Sequence, residues 1–326
     1  MKQRKLGDSD LLVSEYCLGA MYFGWKEPKE QSMERLNQFT VAGGNFIDTA
    51  NMYAEYHKKD KDYFGKDFDS FVDGGSERLL GQWMKERKNR QDLIIATKLG
   101  CRCPGVEYGT SRKQIFEECE KSLRRLQTDY IDLLYLHIDD RATPLEESLS
   151  ALGELIKQGK VRQIGASNFT AWRLAQAEQV ADRLGVKKYC CIQQRYSYLR
   201  AMPGQSFLPQ LAVSDDMLDY LKNSDTTLIA YSPLLGGYYN NRSKQLLQQY
   251  VGPDTDARLS VLDAIAKEVH ATPVQIVYAW LMQSSPSALP LVASSTKEQF
   301  DEALGALEIK LTDAQLGRLN AAKYLG

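Results

Sequence analysis

The amino-acid sequence predicts an eight-stranded β/α barrel. Eight short apolar segments alternate with longer segments of helical periodicity, a pattern typical of a parallel sheet covered by helices. The chain has 326 residues, enough for a barrel of about 250 residues with long loops added. The first predicted strand runs into Leu18–Gly24, which lacks the Gly-x-Gly-x-x-Gly spacing of an open dinucleotide-binding sheet. We therefore expect one barrel domain over residues 1–326.

Each element of this barrel has its own sequence signal. Gly7–Asp10 is a turn sequence between two extended segments and predicts a β-hairpin at the barrel floor. Leu145, Leu149, Leu152 and Ile156 recur at helical spacing and predict a core-facing helix. The barrel strands are predicted at Tyr16–Leu18, Asn45–Asp48, Leu93–Lys98, Ile131–His137, Arg162–Ala166, Cys190–Gln193, Thr227–Tyr231 and Leu289–Val292.

Three long polar and aromatic segments each follow a predicted strand: Ala54–Gly75, Ser197–Asp216 and Leu234–Asp256. In a β/α barrel, such loops form the catalytic face. The first segment is either a lid beside an apolar pocket or a solvated loop whose aromatic rings pack on the barrel. The expected substrate-pocket residues are Tyr22, Phe23, Trp25 and Tyr56.

Composition argues against several classes of function. The 41 Lys and Arg nearly balance the 42 Asp and Glu, and no long basic run is present, so we expect no nucleic-acid partner. No apolar run approaches the roughly 18 residues needed to cross a bilayer, and we expect a cytoplasmic protein without a membrane partner. Six cysteines, including Cys101 and Cys103 and the adjacent Cys190 and Cys191, could bind a metal or form disulfides. Their spacing favours buried thiols and no metal site.

Polar residues interrupt the apolar pattern at the carboxyl ends of three predicted strands, where Asp48, Lys98 and His137 stand. Burying an unpaired charge is expensive, so a core strand gains nothing from such groups. We therefore expect Asp48 and Lys98 to pair with each other. His137 is either a structural hydrogen-bonding residue or part of the same site.

Tyr53 follows Asp48 by five residues and completes the expected catalytic group. A Lys98 ammonium beside the Tyr53 hydroxyl would favour the phenolate and lower the pKa of the phenol. Lowering that pKa from about 10 to about 7 requires about 4 kcal/mol. Such a phenol is a general acid for a carbonyl oxygen that gains charge as hydride reaches carbon. A neutral His137 imidazole directed at the same oxygen would orient the substrate.

These residues resemble the Asp, Tyr, Lys and His tetrad of the aldo-keto reductase superfamily, in both order and strand position. The matching segments are Phe46–Tyr53, Thr97-Lys98 and Leu136-His137. Further segments similar to the family are Gly165–Phe169, Gln193 with Tyr196, and Tyr231–Leu234. The resemblance therefore extends through most of the chain, and it implies a β/α barrel that uses a nicotinamide cofactor.

The resemblance also implies which residues hold the cofactor. Ser167, Asn168 and Gln193 would bind the nicotinamide carboxamide, and Tyr231 would stack on the ring. Other expected cofactor contacts are Gly19, Ala20, Met21, Ser232, Pro233 and Leu234. Ser167 and Asn168 could instead cap the helix predicted over Thr170–Leu184, and both roles could coexist.

The segment after the last strand resembles the part of the family that binds the adenosine 2′-phosphate and adenine. Its expected cofactor contacts are Ala293, Ser294, Ser295, Thr296 and Gln299. It departs from the family because Ala293, Ser295 and Gln299 occupy positions where many relatives have Arg or Lys. Hydroxyl groups and a helix beginning near Thr296 could still bind a phosphate, with Lys297 assisting. We expect NADP(H) first, with NAD(H) close behind.

The sequence thus predicts an NAD(P)H-dependent enzyme that interconverts an aldehyde, ketone or aldose and its alcohol. The mixed aromatic and charged loop suits a sugar, and Arg102 or Arg195 could recognise an anionic group. One alternative is a nicotinamide-binding regulatory subunit of the potassium-channel β-subunit type, against which the lack of a long amino-terminal extension argues. Another is an aldolase in which Lys98, unpaired from Asp48, forms a Schiff base. The oligomeric state is not predicted.

Overall fold

A computed structural model of the chain describes residues 1–53, 74–103 and 106–323, together with the backbone of residues 60–61 and 67–68. The strands are β1 (Gln3–Lys5), β2 (Leu12–Ser14), β3 (Cys17–Gly19), β4 (Phe46–Asp48), β5 (Asp60–Lys61), β6 (Asp67–Phe68), β7 (Ile94–Leu99), β8 (Ile131–Leu136), β9 (Val161–Ser167), β10 (Cys191–Arg195), β11 (Thr227–Tyr231) and β12 (Ala288–Val292). The helices are α1 (Lys29–Val41), α2 (Gly75–Arg87), α3 (Arg112–Leu126), α4 (Leu145–Lys157), α5 (Ala171–Leu184), α6 (Asp215–Lys222), α7 (Pro253–Glu268), α8 (Pro273–Gln283), α9 (Lys297–Gly305) and α10 (Asp313–Ala321).

Eight of these strands form a closed barrel in the order β10-β11-β12-β3-β4-β7-β8-β9. The predicted β/α barrel is confirmed, and each predicted strand matches an observed one to within two residues at either end. Every residue of β7 and of β8 is buried. Parallel strands covered on both faces need largely apolar sequences, and these two strands are apolar apart from Thr97, Lys98 and Asp132.

The helices cover the strands through the apolar stripes that the sequence predicts. Leu145, Leu149 and Leu152 are buried on α4. On α3, a capping box formed by Ser111 and Gln114 fixes the first turn, because each side chain bonds the backbone amide of the other residue. These stripes therefore belong to the core.

The amino-terminal hairpin is also present, with β1 paired antiparallel to β2. The Ser14 amide donates to Asn45 Oδ1 at 2.7 Å, directly before β4. Asp10 accepts hydrogen bonds from Arg162 at 3.1 Å and from Gln163, both at the beginning of β9. The hairpin thus contacts the amino ends of two barrel strands, as expected of an element at the barrel floor.

The contacts within the chain divide it into two compact units, residues 1–192 and 193–326. The first unit contains β1–β9 and α1–α5, and the second contains β11, β12 and α6–α10 with most of β10. A single domain over the whole chain stays a prediction. Among the helices that the structure describes, none has the length and apolar character required to cross a membrane. All six cysteines are buried free thiols.

Candidate active site

The carboxyl ends of β4 and β7 bring Asp48 and Lys98 together. These strands are neighbours in parallel register, with Asp48 opposite Ala96. The fully buried Lys98 ammonium forms an ion pair with Asp48 Oδ1 and also donates to the Thr49 carbonyl oxygen at 2.8 Å. Because each buried charge would be costly alone, the pair explains why both residues interrupt apolar strands. The predicted pairing is confirmed.

Tyr53 joins this pair from the loop that follows β4. Its hydroxyl accepts a hydrogen bond from Lys98 Nζ at 3.3 Å. Its backbone amide donates to the Ala50 carbonyl at 3.1 Å, which turns the chain back towards the strand end. The Lys98 ammonium therefore stands between the Asp48 carboxylate and the Tyr53 phenol.

His137, directly after β8, lies beside the same phenol. The centroids of the His137 and Tyr53 rings are 6.0 Å apart, and the ring planes are nearly perpendicular at 81°. The His137 amide donates to the Leu99 carbonyl at 2.8 Å, which ties it to the end of β7. Its Nδ1 atom is buried and has no hydrogen-bond partner among the described residues. The four residues singled out from the sequence are thus neighbours in the structure.

Burial controls the electrostatics of this group. Burial raises the pKa of the Tyr53 phenol, and the Lys98 ammonium, which acts in the opposite direction, does not cancel that effect. The expectation that Lys98 brings the phenol pKa down towards neutrality is therefore wrong in its net direction. A phenol with a raised pKa keeps its proton, which leaves Tyr53 in the form that can donate one.

The surroundings of Lys98 and His137 also determine their ionisation states. Burial acts to lower the pKa of Lys98, but Asp48 and Tyr53 together outweigh it and raise that pKa above its usual value. A protonated amine is not a nucleophile, so this disfavours the aldolase reading. Burial, assisted by the Lys98 charge, holds the pKa of His137 well below its usual value. The imidazole is therefore neutral near pH 7, as expected.

The nicotinamide-binding candidates of the first unit lie at the carboxyl ends of β3 and β9. Ser167 and Asn168 are buried, and Asn168 Nδ2 donates to the His137 carbonyl at 3.0 Å and to Ser167 Oγ at 3.1 Å. Thr170 is the N-cap residue of α5, so the interpretation of Ser167 and Asn168 as its cap is wrong. The other candidates are Gly19, the last residue of β3, and the next two residues, Ala20 and Met21. The Ala20 amide donates to the Asp48 carbonyl at 2.8 Å.

Gln193 and Tyr231 occupy β10 and the last position of β11 in the second unit. Arg195, at the end of β10, places its guanidinium 4.9 Å from the Phe207 ring centroid and 5.6 Å from that of Tyr231. It also donates to Gln210 Oε1 at 3.1 Å. Arg195 therefore packs beside Tyr231, the ring that the family resemblance assigns to the cofactor. The position of Arg195 in the sequence did not reveal this role. Arg102, the other anion candidate, lies 3.8 Å from the Glu107 carboxylate.

The loop after β11 contains Ser232, Pro233 and Leu234 and continues into a tight turn that binds a lysine side chain. Leu235, Gly236 and Gly237 all have positive φ, at 50°, 71° and 87°. The Lys244 ammonium donates to the Gly236 carbonyl at 2.6 Å. A lysine held on a short turn of this kind can approach an anionic group.

The segment after β12 is exposed and already hydrogen-bonded within itself. Thr296 caps α9 by accepting from the Gln299 amide at 3.3 Å, and Gln299 Oε1 accepts from the Ser295 amide at 2.8 Å. Lys297 forms an ion pair with Asp301 one turn along the helix. The Ser294 hydroxyl is buried and has no partner within residues 1–53, 74–103 and 106–323. Ala293 at the strand end is exposed.

The predicted substrate-pocket residues have different surroundings. Tyr22 is exposed, with its ring centroid 5.7 Å from that of Trp25. Phe23 is only 4% exposed, so its ring offers little surface to a ligand. Tyr56 and the predicted lid lie outside the described residues, apart from the antiparallel backbone pair β5 and β6.

Sequence reasoning did not identify the apolar cluster against which Tyr53 packs. This cluster consists of Ala50, Met52, Cys101, Cys103 and Ile138. Backbone hydrogen bonds between Cys103 and Val106 in both directions, at 3.1 and 2.8 Å, close a short turn beside it. The available signal was single apolar residues among polar ones just past the ends of three strands, a position where loops are usually polar.

A closed β/α barrel with polar groups gathered at the carboxyl ends of its strands is the architecture of a barrel enzyme. The sequence profile of the Aldo/keto reductase family matches residues 15–323, nearly the whole chain. The chain therefore belongs to the aldo/keto reductase family. It is an oxidoreductase that acts on carbonyl compounds, and members of this family generally use a nicotinamide cofactor.

Similar proteins are named as reductases or dehydrogenases. A norsolorinic acid reductase of Emericella nidulans is 31% identical, with 93% of this chain and 76% of that protein covered. An aryl-alcohol dehydrogenase of Pestalotiopsis microspora is 28% identical, with 92% of this chain and 76% of that protein covered. A thermostable aldo-keto reductase crystallised with the inhibitor epalrestat has a TM-score of 0.74 at 28% identity, covering 99% of this chain and 100% of the other.

Proposed function

We propose that the protein reduces an aldehyde or ketone to an alcohol, with Tyr53 as the proton donor and a nicotinamide cofactor. The observation that carries this proposal is the position of Lys98 Nζ, bonded to the Asp48 carboxylate on one side and 3.3 Å from the Tyr53 hydroxyl on the other. A phenol that keeps its proton beside a fixed positive charge can donate that proton and be stabilised as phenolate afterwards.

The protein residues handle the proton and the developing charge. A nicotinamide cofactor in its reduced form, when bound, would supply the hydride for the new C–H bond. As the carbonyl π pair moves onto oxygen, that oxygen takes the proton of Tyr53 Oη, which leaves an alcohol and a phenolate. The Lys98 ammonium stabilises the phenolate, and Asp48 keeps Lys98 in place and charged.

His137 has a separate role in this reaction. Its neutral imidazole lies edge-on to the Tyr53 ring, so it can orient the carbonyl oxygen towards the phenol. A neutral group adds no second positive charge beside Lys98, and burial keeps it neutral across the physiological range. His137 is therefore proposed as the residue that orients the substrate.

Features of both units fit a dinucleotide cofactor. In the second unit, the Lys244 ammonium on the Gly236 turn suits a phosphate group, and the buried Ser294 hydroxyl, which has no partner in the described part of the chain, suits another polar contact. In the first unit, Ser167 and Asn168 carry groups that can bind a carboxamide. The resemblance assigns Gln193 to the same carboxamide and Tyr231 to the nicotinamide ring.

The adenosine end supports only a weak preference for NADP(H). Lys297 is paired with Asp301, and the Gln299 side chain is bonded to the Ser295 amide, so both groups are already engaged. Backbone amides and Thr296 hold the pKa of Glu298 below its usual value, which keeps a negative charge at the start of α9. We propose that NADPH and NADH are used with efficiencies within about tenfold of each other, because a phosphate there gains little.

The names of similar proteins suggest the substrate class, because the apolar cluster beside Tyr53 is itself buried. Two of the similar proteins are named for norsolorinic acid and for aryl alcohols. We propose an aromatic aldehyde or ketone as the substrate class.

A panel of aryl aldehydes, aryl ketones and aldoses tests this function through the loss of cofactor absorbance. Tyr53→Phe should lower kcat by about 100-fold or more, with an unchanged cofactor Kd, because it removes only the acidic proton. Tyr130→Phe is the control, since Tyr130 precedes β8 at the opposite end of the strand from His137. Tight cofactor binding with no turnover of any carbonyl would instead favour the regulatory-subunit alternative.

A further inference from the structure

The first turn of α2 braces the proposed catalytic group from outside the barrel wall. Ser76 and Glu77 are fully buried residues of this turn. We propose that both are positioning residues, which fix Asp48, Lys98 and Tyr53 through the residues next to them. This inference rests on the function proposed above.

Ser76 fixes the segment that follows β4. Its hydroxyl donates to the Ala20 carbonyl at 2.7 Å, so the 2.7 Å contact with Thr49 Oγ1 uses the Thr49 proton. The Thr49 carbonyl accepts from Lys98 Nζ at 2.8 Å. The Ser76 amide donates to the Tyr53 carbonyl at 3.0 Å. One residue therefore holds both ends of the turn from Asp48 to Tyr53.

Glu77 fixes the end of β7. Its Oε1 accepts from Thr97 Oγ1 at 2.6 Å, and its Oε2 accepts from Arg125 Nε at 2.6 Å. Successive side chains of a strand point to opposite faces, so Thr97 points outward where Lys98 points into the barrel. The hydrogen bond to Thr97 therefore fixes the position of the backbone from which Lys98 extends. Arg125 of α3 neutralises the Glu77 charge, which is required at zero exposure.

Gly74, the residue before α2, allows the start of this helix to lie close to Arg125. Gly74 has φ of 59°, and a Cβ atom there would lie 2.3 Å from Arg125 Cδ and Nε. Only glycine fits that left-handed position against the guanidinium. The brace thus consists of a glycine entry, two buried side chains and an arginine counter-ion from the next helix.

Substitutions that remove one hydrogen bond test the brace. Thr97→Val keeps the side-chain shape and removes the hydroxyl, Thr97→Ser retains the hydroxyl, and Ser76→Ala removes the second contact. We expect kcat for the reduction to fall about tenfold or more in Thr97→Val and Ser76→Ala, because small displacements of a catalytic group are costly. Thr97→Ser should restore most of the rate, and the cofactor Kd should not change in Thr97→Val.

The matched control is Ser148→Ala. Ser148 is also buried, donates to the Thr110 carbonyl at 2.8 Å and contacts the Thr110 hydroxyl at 3.0 Å, but it does not adjoin the proposed catalytic group. Its loss should affect unfolding as Ser76→Ala does, without the fall in kcat. Equal kcat values in Ser76→Ala, Thr97→Val and this control would overturn the inference.

A second measurement separates this inference from the proposed function. Carbon-13 tyrosine NMR, with the Tyr53 signal assigned through Tyr53→Phe, reports on the Lys98–Tyr53 contact without any turnover. The Tyr53 Cζ signal should move in Thr97→Val and Ser76→Ala and stay constant in Ser148→Ala. An immobile signal would refute the brace even in an active enzyme. A wild-type protein that reduces no carbonyl would refute the proposed function alone, and the NMR signal would still decide the inference.

Discussion

The carboxyl end of β7 and the carboxyl end of β12 handle polar groups in opposite ways. Lys98 is fully buried, is paired with Asp48 and donates to a backbone carbonyl. Lys297, just past β12, is 60% exposed and pairs with Asp301 along its own helix. A buried charge must have a fixed partner, whereas an exposed charge gains little from any one partner. The residues at the end of β7 are therefore restricted by the need to pair a buried charge. The residues after β12 can change with little loss of stability.

The largest effect should come from breaking the buried pair. Lys98→Met leaves the Asp48 carboxylate buried without its cation, which should cost about 3–5 kcal/mol of unfolding free energy and abolish measurable reduction. The double variant Asp48→Asn with Lys98→Met removes both charges and should regain most of that stability. Activity should stay lost, because no cation remains beside Tyr53. Denaturant unfolding and kcat measure the two effects separately.

The matched exposed variant sharpens this comparison. Lys297→Met should leave unfolding unchanged, because solvent screens the pair with Asp301. A loss of stability comparable to that of Lys98→Met would contradict the proposed difference between the two strand ends.

A smaller effect is expected at the start of α9. Glu298→Ala removes a negative charge from the helix amino terminus and should raise the NADPH-to-NADH ratio of kcat/KM by about twofold to fivefold. Glu308→Ala, an exposed carboxylate beyond the end of α9, is the control and should leave the ratio unchanged. An unaltered ratio in Glu298→Ala would show that this turn does not read the phosphate. The effect should shrink at high salt.

The smallest effect should be that of pH on the reduction. A raised phenol pKa keeps Tyr53 protonated as pH rises towards 10, and a lowered imidazole pKa keeps His137 neutral as pH falls below 6.5. With a non-ionisable aldehyde, kcat/KM should therefore stay level between about pH 6 and about pH 9. An inflection inside that range would mean that one of these groups titrates there.

The barrel strands and the buried pair could be predicted from sequence because burial restricts what a sequence can contain. A largely apolar segment such as Ile131–Leu136, in which Asp132 is the one charged residue, has few alternatives to a covered strand, and charges at the ends of such strands require partners. The start of α5 was predicted to within one residue, but its cap could not be predicted, because Ser, Asn and Thr are all good caps and stand close together. The contacts of Arg195 with the rings of Tyr231 and Phe207 depend on loop conformations that no local pattern specifies.

The sequence by itself determined the barrel and the residues at the ends of its strands, since apolar runs and costly charges are local properties of the chain. Only the tertiary structure decided the state of those residues. Whether Lys98 or burial controls the phenol pKa of Tyr53 depends on how completely both groups are desolvated, and that is a property of the packed protein. The brace of Ser76 and Glu77 also requires α2 and α3 to meet two strand ends.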